Sequence, residues 1–173
     1  INRNQIGAIV GSQPFGGKGL SGTGPKAGGE IYLSAFLKTR PDAKPNTQDS
    51  LAPRMMPGPS GERNSYMITP RGHLLVVHSD ADTRKQISKQ AKDAGNSVTE
   101  YAQIPDRFDG FDAVMTAPDP NIDISALRRA MHDAGGVIIP FLYDHGGEAW
   151  LWHEHHICQD MTASGGNIDL LMR

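Results

Sequence analysis

The sequence predicts an α/β fold, a small parallel sheet with helices packed on it, preceded by a glycine-rich segment and followed by a short tail. Three observations carry this expectation. Apolar runs of strand length alternate with helical patterns between residues 74 and 142. Gly95 and the pair Gly135-Gly136 stand where those helices must stop. Nine of the 20 glycines fall within the first thirty residues, where with Pro14 they forbid a regular element.

In chain order, Ile6-Gly7-Ala8-Ile9-Val10 is a short, partly β-branched apolar run and reads as a strand. It feeds a shaped loop over residues 11–29, and residues 30–36 suit one brief turn of helix or strand. Residues 38–63 hold Pro41, Pro45, Pro53, Pro57 and Pro59 among polar side chains, the composition of a linker. Leu74-Leu75-Val76-Val77 is a buried strand, and residues 80–94 form a helix. Strands follow over residues 97–101 and 111–115, then a helix over 124–134 and a strand over 137–142. That order implies a parallel sheet with right-handed crossovers, a Rossmann-like domain. The tail holds a strand through Trp150 and Trp152, then a small, polar, loop-like stretch. The chain thus divides into residues 1–37, a linker over 38–63, an α/β domain over 64–148 and a closing segment over 149–173.

Charge and cysteine content narrow the function. Lys plus Arg number 17 against 19 Asp plus Glu, a net charge of −2, which lacks the electrostatic footprint of a general nucleic-acid or acidic-membrane binder. The single cysteine, Cys158, excludes an internal disulfide framework and a Cys-rich zinc module and suits a reducing, cytoplasmic setting. No apolar run approaches the twenty or so residues that span a bilayer. Ile1-Asn2-Arg3-Asn4 is neither a signal peptide nor an initiator sequence, so a fragment of a longer protein is expected.

Several constellations invite chemistry. The glycine loop could cradle phosphate, yet Gly17-Lys18 is followed by Gly19 where a P-loop requires Ser or Thr. Gly22-Thr23-Gly24 lacks the flanking strand and long helix of a dinucleotide fingerprint. The turn after Val77, His78-Ser79-Asp80-Ala81-Asp82, has no glycine and carries carboxylates, so the α/β domain is expected to bind no nucleotide. His153, His155, His156 and Cys158 resemble metal-ligand material. In an extended segment the first two face one way and the last two the other, which favours a polar strand and leaves two ligands per side open. Cys158 as a nucleophile would need a neighbouring base or helix N-terminus. Asp144, His145 and Ser79 lack the Gly-x-Ser-x-Gly elbow of a hydrolase.

The run Gln13-Pro14-Phe15-Gly16-Gly17-Lys18-Gly19-Leu20-Ser21-Gly22-Thr23-Gly24-Pro25-Lys26-Ala27-Gly28-Gly29 resembles the C-terminal signature of aldehyde dehydrogenases. Its long form is similar to that of the glutamate-semialdehyde (pyrroline-5-carboxylate) dehydrogenase module in the bifunctional proline catabolic enzymes of bacteria. A second stretch, Ile157-Cys158-Gln159-Asp160-Met161-Thr162-Ala163-Ser164-Gly165-Gly166-Asn167-Ile168-Asp169-Leu170-Leu171-Met172, resembles the closing motif of the same family, with Ser164 and Ile168-Asp169 as departures.

That resemblance implies a large enzyme using FAD to oxidise proline and NAD to oxidise the resulting glutamate γ-semialdehyde to glutamate. The flavin barrel, the NAD fold and the nucleophilic cysteine would all lie upstream, leaving no catalytic residue in this chain and making Cys158 a poor nucleophile candidate. By the same resemblance, Gly7 and Ala8 offer backbone N–H groups to the substrate α-carboxylate, and small side chains there would let it approach. Phe15 would line the aldehyde channel, with packing in the core as its plainer role. Thr162, Ala163, Ser164, Gly165, Gly166 and Asn167 would close the cavity through which the semialdehyde travels. The implied partners are the upstream modules of the same protein and further copies of it, with NAD and FAD held outside this stretch and no metal. The opposing reading is a free-standing, non-catalytic binding or assembly domain in which the glycine loop is only a scaffold.

Overall fold

The computed structural model describes residues 9–36, 52–144 and 148–161. Two sheets organise it. The first is antiparallel, in the order β1-β2-β7, from Arg54–Met56 (β1), Glu62–Pro70 (β2) and Trp152–Asp160 (β7). The second is wholly parallel, in the order β4-β3-β5-β6, from His73–Val77 (β3), Ser97–Tyr101 (β4), Ala113–Thr116 (β5) and Phe141–Tyr143 (β6). Helix α1 (Ala81–Asp93) connects β3 to β4, and α2 (Ile124–Asp133) connects β5 to β6.

Alternation along β3 explains why the parallel sheet is covered on both sides. Leu74 and Val76 pack with Ile87 and Ala91 of α1. Leu75 and Val77 pack with Val114, Phe108 and Leu127 of α2. These four of the five β3 side chains are fully buried, the apolar run that gave the strand away in the sequence. The caps are where the sequence puts them. Asp80 accepts a hydrogen bond from Thr83 N at 2.8 Å, and Gly95 takes a φ of +85° just past the end of α1.

The antiparallel sheet shares the α1-side core, through Tyr66, Ile68 and Trp152. Arg71 joins the two sheets. Its side chain is buried at the end of β2, donating from Nε to Trp150 O at 2.5 Å and from Nη2 to Trp152 O at 3.1 Å, while its own N–H reaches Leu151 O at 2.9 Å. Asn96, also buried, bonds Leu151 O, Ala91 O and Gly72 N. Carbonyls of the segment entering β7 are thereby satisfied by side chains of the α/β unit.

Four expectations need correction. Residues 54–56 and 62–63, assigned to a linker from their prolines, are strand; Pro53, Pro57 and Pro59 flank the short edge strand β1, where missing donors are tolerated. The strand expected over residues 111–115 is Ala113–Thr116, because the Phe111 ring packs beside His73 at 4.8 Å before pairing begins. The strand expected over 137–142 is confined to Phe141–Tyr143, and Val137 and Ile138 lie exposed ahead of it. Trp150 sits in a 3-10 turn, Glu148–Leu151, and β7 begins at Trp152.

Leu127 is the fully buried residue of α2 and the main apolar plug on that side of the parallel sheet. Leu127→Ala is expected to cost about 2–5 kcal/mol in urea unfolding, with the slope of the transition unchanged.

Candidate functional site

The glycine loop is a folded-back ribbon. Phe15 and Ala27 exchange backbone bonds at 2.9 and 2.7 Å, Gly11 N donates to Gly28 O at 2.8 Å, and Ile9 and Gln13 pair across a tight turn. The ribbon ends in a 3-10 turn, Tyr32–Phe36. One buried carboxylate fastens it to the antiparallel sheet. Glu154, on the inward face of β7 beside Trp152, is 2 % exposed. It accepts from Lys26 N at 2.8 Å, from Ile31 N at 3.4 Å and from the Tyr66 hydroxyl of β2 at 2.7 Å. A carboxylate without those donors would be costly to bury, so the ribbon and the sheet stabilise each other through it. Burial first, and then the hydrogen bond and charge of Glu154, push the Tyr66 phenol above its ordinary range and keep it a donor.

Two further contacts complete the seam. The buried Gln13 side chain donates to Glu62 Oε2 at 2.8 Å, to Asn64 Oδ1 at 3.2 Å and to Cys158 Sγ at 3.5 Å, bridging the ribbon to β2 and β7. Lys18 Nζ meets Asp112 at 2.6 Å, tying the ribbon to the amino ends of the parallel strands. Asp112 also accepts from His73 N at 2.9 Å. Between ribbon and sheet lies a cavity of about 40 Å³ with Arg71, Asp112, Thr23 and His153 in its wall. Burial lowers Arg71 to about 10, with Asp112 opposing the shift. Burial, then His155 and the cations Arg71, Lys18 and Lys26, lower His153 to about 4.

The carboxyl ends of the parallel strands are where α/β sheets usually hold ligands. Here Asp119, whose carboxylate is covered, accepts from Ser79 N at 2.5 Å, Ser79 Oγ at 2.8 Å and Asn121 N at 2.8 Å, with His78 Nδ1 at 3.4 Å. Burial raises its pKa, but these donors and His78 outweigh that and leave it below the ordinary carboxylate value. Asp80, the N-cap of α1, accepts from Thr83 N, and its own N–H donates to His78 Nδ1 at 3.1 Å. Two amides of the β3–α1 turn, Ser79 N and Thr83 N, are therefore bonded to the protein's own carboxylates, where an anion would meet like charge.

Of the residues singled out in the sequence, Phe15 is 63 % exposed and held by its backbone to Ala27, so it does not pack in this chain's core. Gly7 and Ala8 lie outside the described residues, as do Thr162, Ala163, Ser164, Gly165, Gly166 and Asn167. The histidines divide as the extended reading requires: His153 and His155 share a face with ring centroids 4.9 Å apart, and His155 bonds Thr69 at 2.9 Å. Cys158 lies on the other face, against Gln13. Among the described residues no group of three or more His, Cys, Asp or Glu is placed to hold a metal ion. The Ser79 hydroxyl is engaged by Asp119 and Asn121. His145 lies outside the described residues, so the Asp144-His145 pair is not described as a whole. Sequence reasoning missed Glu154, Tyr66 and Gln13. The available signal was alternation: Asn64, Tyr66 and Ile68 fall on one face of β2, and Trp152 and Glu154 on one face of β7.

An α/β chain with this ribbon and these two sheets has the fold of part of proline utilization A. It aligns with that protein from Corynebacterium freiburgense at a TM-score of 0.65 and 19 % identity, over 94 % of this chain and 20 % of the other. In sequence the chain resembles the bifunctional protein PutA of Escherichia coli, 28 % identical over 245 aligned positions, 99 % of this chain and 18 % of the relative. It also resembles the 1-pyrroline-5-carboxylate dehydrogenase of Bacillus thuringiensis, 54 % identical over 40 residues, 23 % of this chain and 8 % of that one. The chain thus spans less than a fifth of the length of these two curated relatives. No family model matches it. The resemblance drawn from residues 13–29 and 157–172 is shown by these relatives, which are PutA proteins and pyrroline-5-carboxylate dehydrogenases.

The seam has a pH dependence. His153 titrates at about 4 when folded against 6.5 ordinarily, so between those values the unfolded chain binds more protons. Stability from neutral His153 is full above about pH 6.5 and is lost as pH falls toward about 4; His155, lowered for similar reasons, acts in the same sense. Thermal melts are expected to fall between about pH 7 and pH 5, and His153→Gln is expected to make that decline shallower.

Proposed function

We propose that this chain is the C-terminal part of a bifunctional proline catabolic enzyme, in which it completes the site that oxidises glutamate γ-semialdehyde to glutamate. The observation that carries this reading is the ribbon of residues 9–28: it bears the Pro-Phe-Gly-Gly signature, it is folded against this chain's own sheet, and it turns Phe15 outward. Val10, Leu20, Leu33 and Phe36 are also strongly exposed, the composition of a surface finished by apolar protein. A free-standing binding domain would hold that surface in water, which disfavours the alternative.

In this reading Gly7 and Ala8 donate backbone N–H groups to the substrate α-carboxylate. Small residues admit the anion closely, and neutral donors bind it without burying a lone cation. Phe15 flanks the aliphatic stem and keeps water from the aldehyde. NAD, held by the upstream module, would supply the hydride acceptor for the aldehyde oxidation, and FAD would supply the electron acceptor of the proline-oxidising module. In this reading neither is held by this chain, which is supported by Asp119 and Asp80 occupying Ser79 N and Thr83 N in the first strand-to-helix turn. Thr162 to Asn167 close the path between the two sites. No described helix is long and apolar enough to cross a membrane. In this reading the nucleophilic cysteine lies upstream, so the chain alone is not active, and the intact enzyme is a homo-oligomer.

Gly7→Val in the intact enzyme tests the assignment. A β-branched side chain would block the carboxylate, so semialdehyde oxidation is expected to fall at least about tenfold while flavin-dependent proline oxidation is unchanged. Equal loss of both activities, or of neither, contradicts it.

A further inference from the structure

We infer that Glu154, with Tyr66 and Gly29, is a positioning device that sets the enzyme's preference for an aldehyde bearing an α-carboxylate. The inference rests on the proposed function of the ribbon and adds a residue set that touches neither substrate nor cofactor.

The argument follows the hydrogen bonds. Glu154 holds Lys26 N and Ile31 N, the two ends of the returning arm of the ribbon. Between them, Ala27 is paired with Phe15, and Gly28 O receives Gly11 N. Gln13, two residues from Phe15, is fixed to β2 and β7 by its side chain. The outgoing arm, residues 9–15, is therefore registered against the sheet through the returning arm and Gln13. Gly7 and Ala8 directly precede it, and Phe15 lies within it. Phe15 thereby takes its position from one buried carboxylate and one amide side chain, and Gly7 and Ala8 are joined covalently to the start of the same arm.

Gly29 shows how closely the arm is set. A Cβ built there would overlap the Glu154 carboxylate, 2.8 Å from its Cδ, although the Gly29 backbone has no positive φ that would itself demand glycine. A side chain at residue 29 would displace the carboxylate, so Gly29 and Glu154 are one feature written at two positions. Tyr66 completes it by giving Oε1 a donor that belongs to the sheet.

The chemistry predicts a selective effect. Anchoring an α-carboxylate on backbone N–H groups depends on their position, and a displacement of about 1 Å suffices to lose much of the benefit. An aldehyde without that carboxylate does not use the anchor. In Glu154→Gln the amide can still accept from Lys26 N, but its –NH₂ replaces the acceptor that faced Ile31 N and Tyr66. In Gly29→Ala the carboxylate stays chemically intact and is pushed off its donors. Glu154→Gln changes the acceptor and Gly29→Ala changes the geometry, so a shared phenotype isolates the clamp.

The experiment uses the intact enzyme as wild type, Glu154→Gln and Gly29→Ala. It measures kcat and KM for glutamate γ-semialdehyde and for an unbranched aliphatic aldehyde of the same chain length, with proline oxidation and melting temperature alongside. The expected result is a rise of about tenfold in KM for the semialdehyde in both variants, the scale of one lost charge-assisted bond, with a correspondingly smaller ratio of kcat/KM between the two aldehydes. Tyr66→Phe, which removes one donor only, is expected to fall between wild type and these variants. Equal decline on both aldehydes would make the residues merely structural and overturn the inference, as would an unchanged ratio. If the wild-type enzyme itself showed no preference for the semialdehyde, the proposed function would fail first.

Discussion

Burying the Glu154 carboxylate at the junction of two otherwise separate pieces of chain is the constraint on which the remaining structure depends. A strand face that carries Trp152 and Glu154 together can be covered only by something that supplies hydrogen-bond donors as well as apolar surface. The glycine ribbon supplies backbone N–H groups from Lys26 and Ile31, and β2 supplies the Tyr66 hydroxyl. A ribbon rich in glycine has little apolar area with which to hold itself to a core, so polar pinning takes the place of packing. The Lys18–Asp112 pair adds a second attachment, but it is half exposed at the lysine and contributes little on its own.

The two ends of the parallel sheet have taken different roles. At the amino ends, Asp112 and Arg71 receive the ribbon and the entry to β7, so that end serves as a joint. At the carboxyl ends, where a related architecture would cradle phosphate, Asp119 binds the turn amide and hydroxyl of Ser79. A carboxylate in that place satisfies the same donors a ligand would and repels an anionic one. That division fits a chain whose fold is shared with part of a much longer protein.

Much of the α/β unit was legible because its signals are local. Leu74 to Val77 are apolar without interruption, Asp80 and Gly95 bracket α1, and Gly135 follows α2. The antiparallel sheet was not, because β2 and β7 are 82 residues apart at the Pro70–Trp152 pairing and 98 at the Glu62–Asp160 pairing; its prolines advertised a linker instead. Glu154 was invisible for a different reason. An acid between two histidines reads as a solvated strand, and only the alternation shared with Trp152 hints that it points inward. The motif at residues 13–29 gave the family resemblance directly, yet it could not show that the ribbon is fastened by its backbone to a side chain more than a hundred residues away.

Amide hydrogen exchange on the full-length protein, comparing wild type with Glu154→Gln, tests the clamp most directly. Slow exchange is expected in wild type at Lys26, Ile31, Phe15 and Gly11, and Glu154→Gln is expected to speed all four while leaving Val76 and Val114 of the parallel sheet protected. Unchanged exchange in the ribbon, or an equal loss of protection in the parallel sheet, would contradict the account.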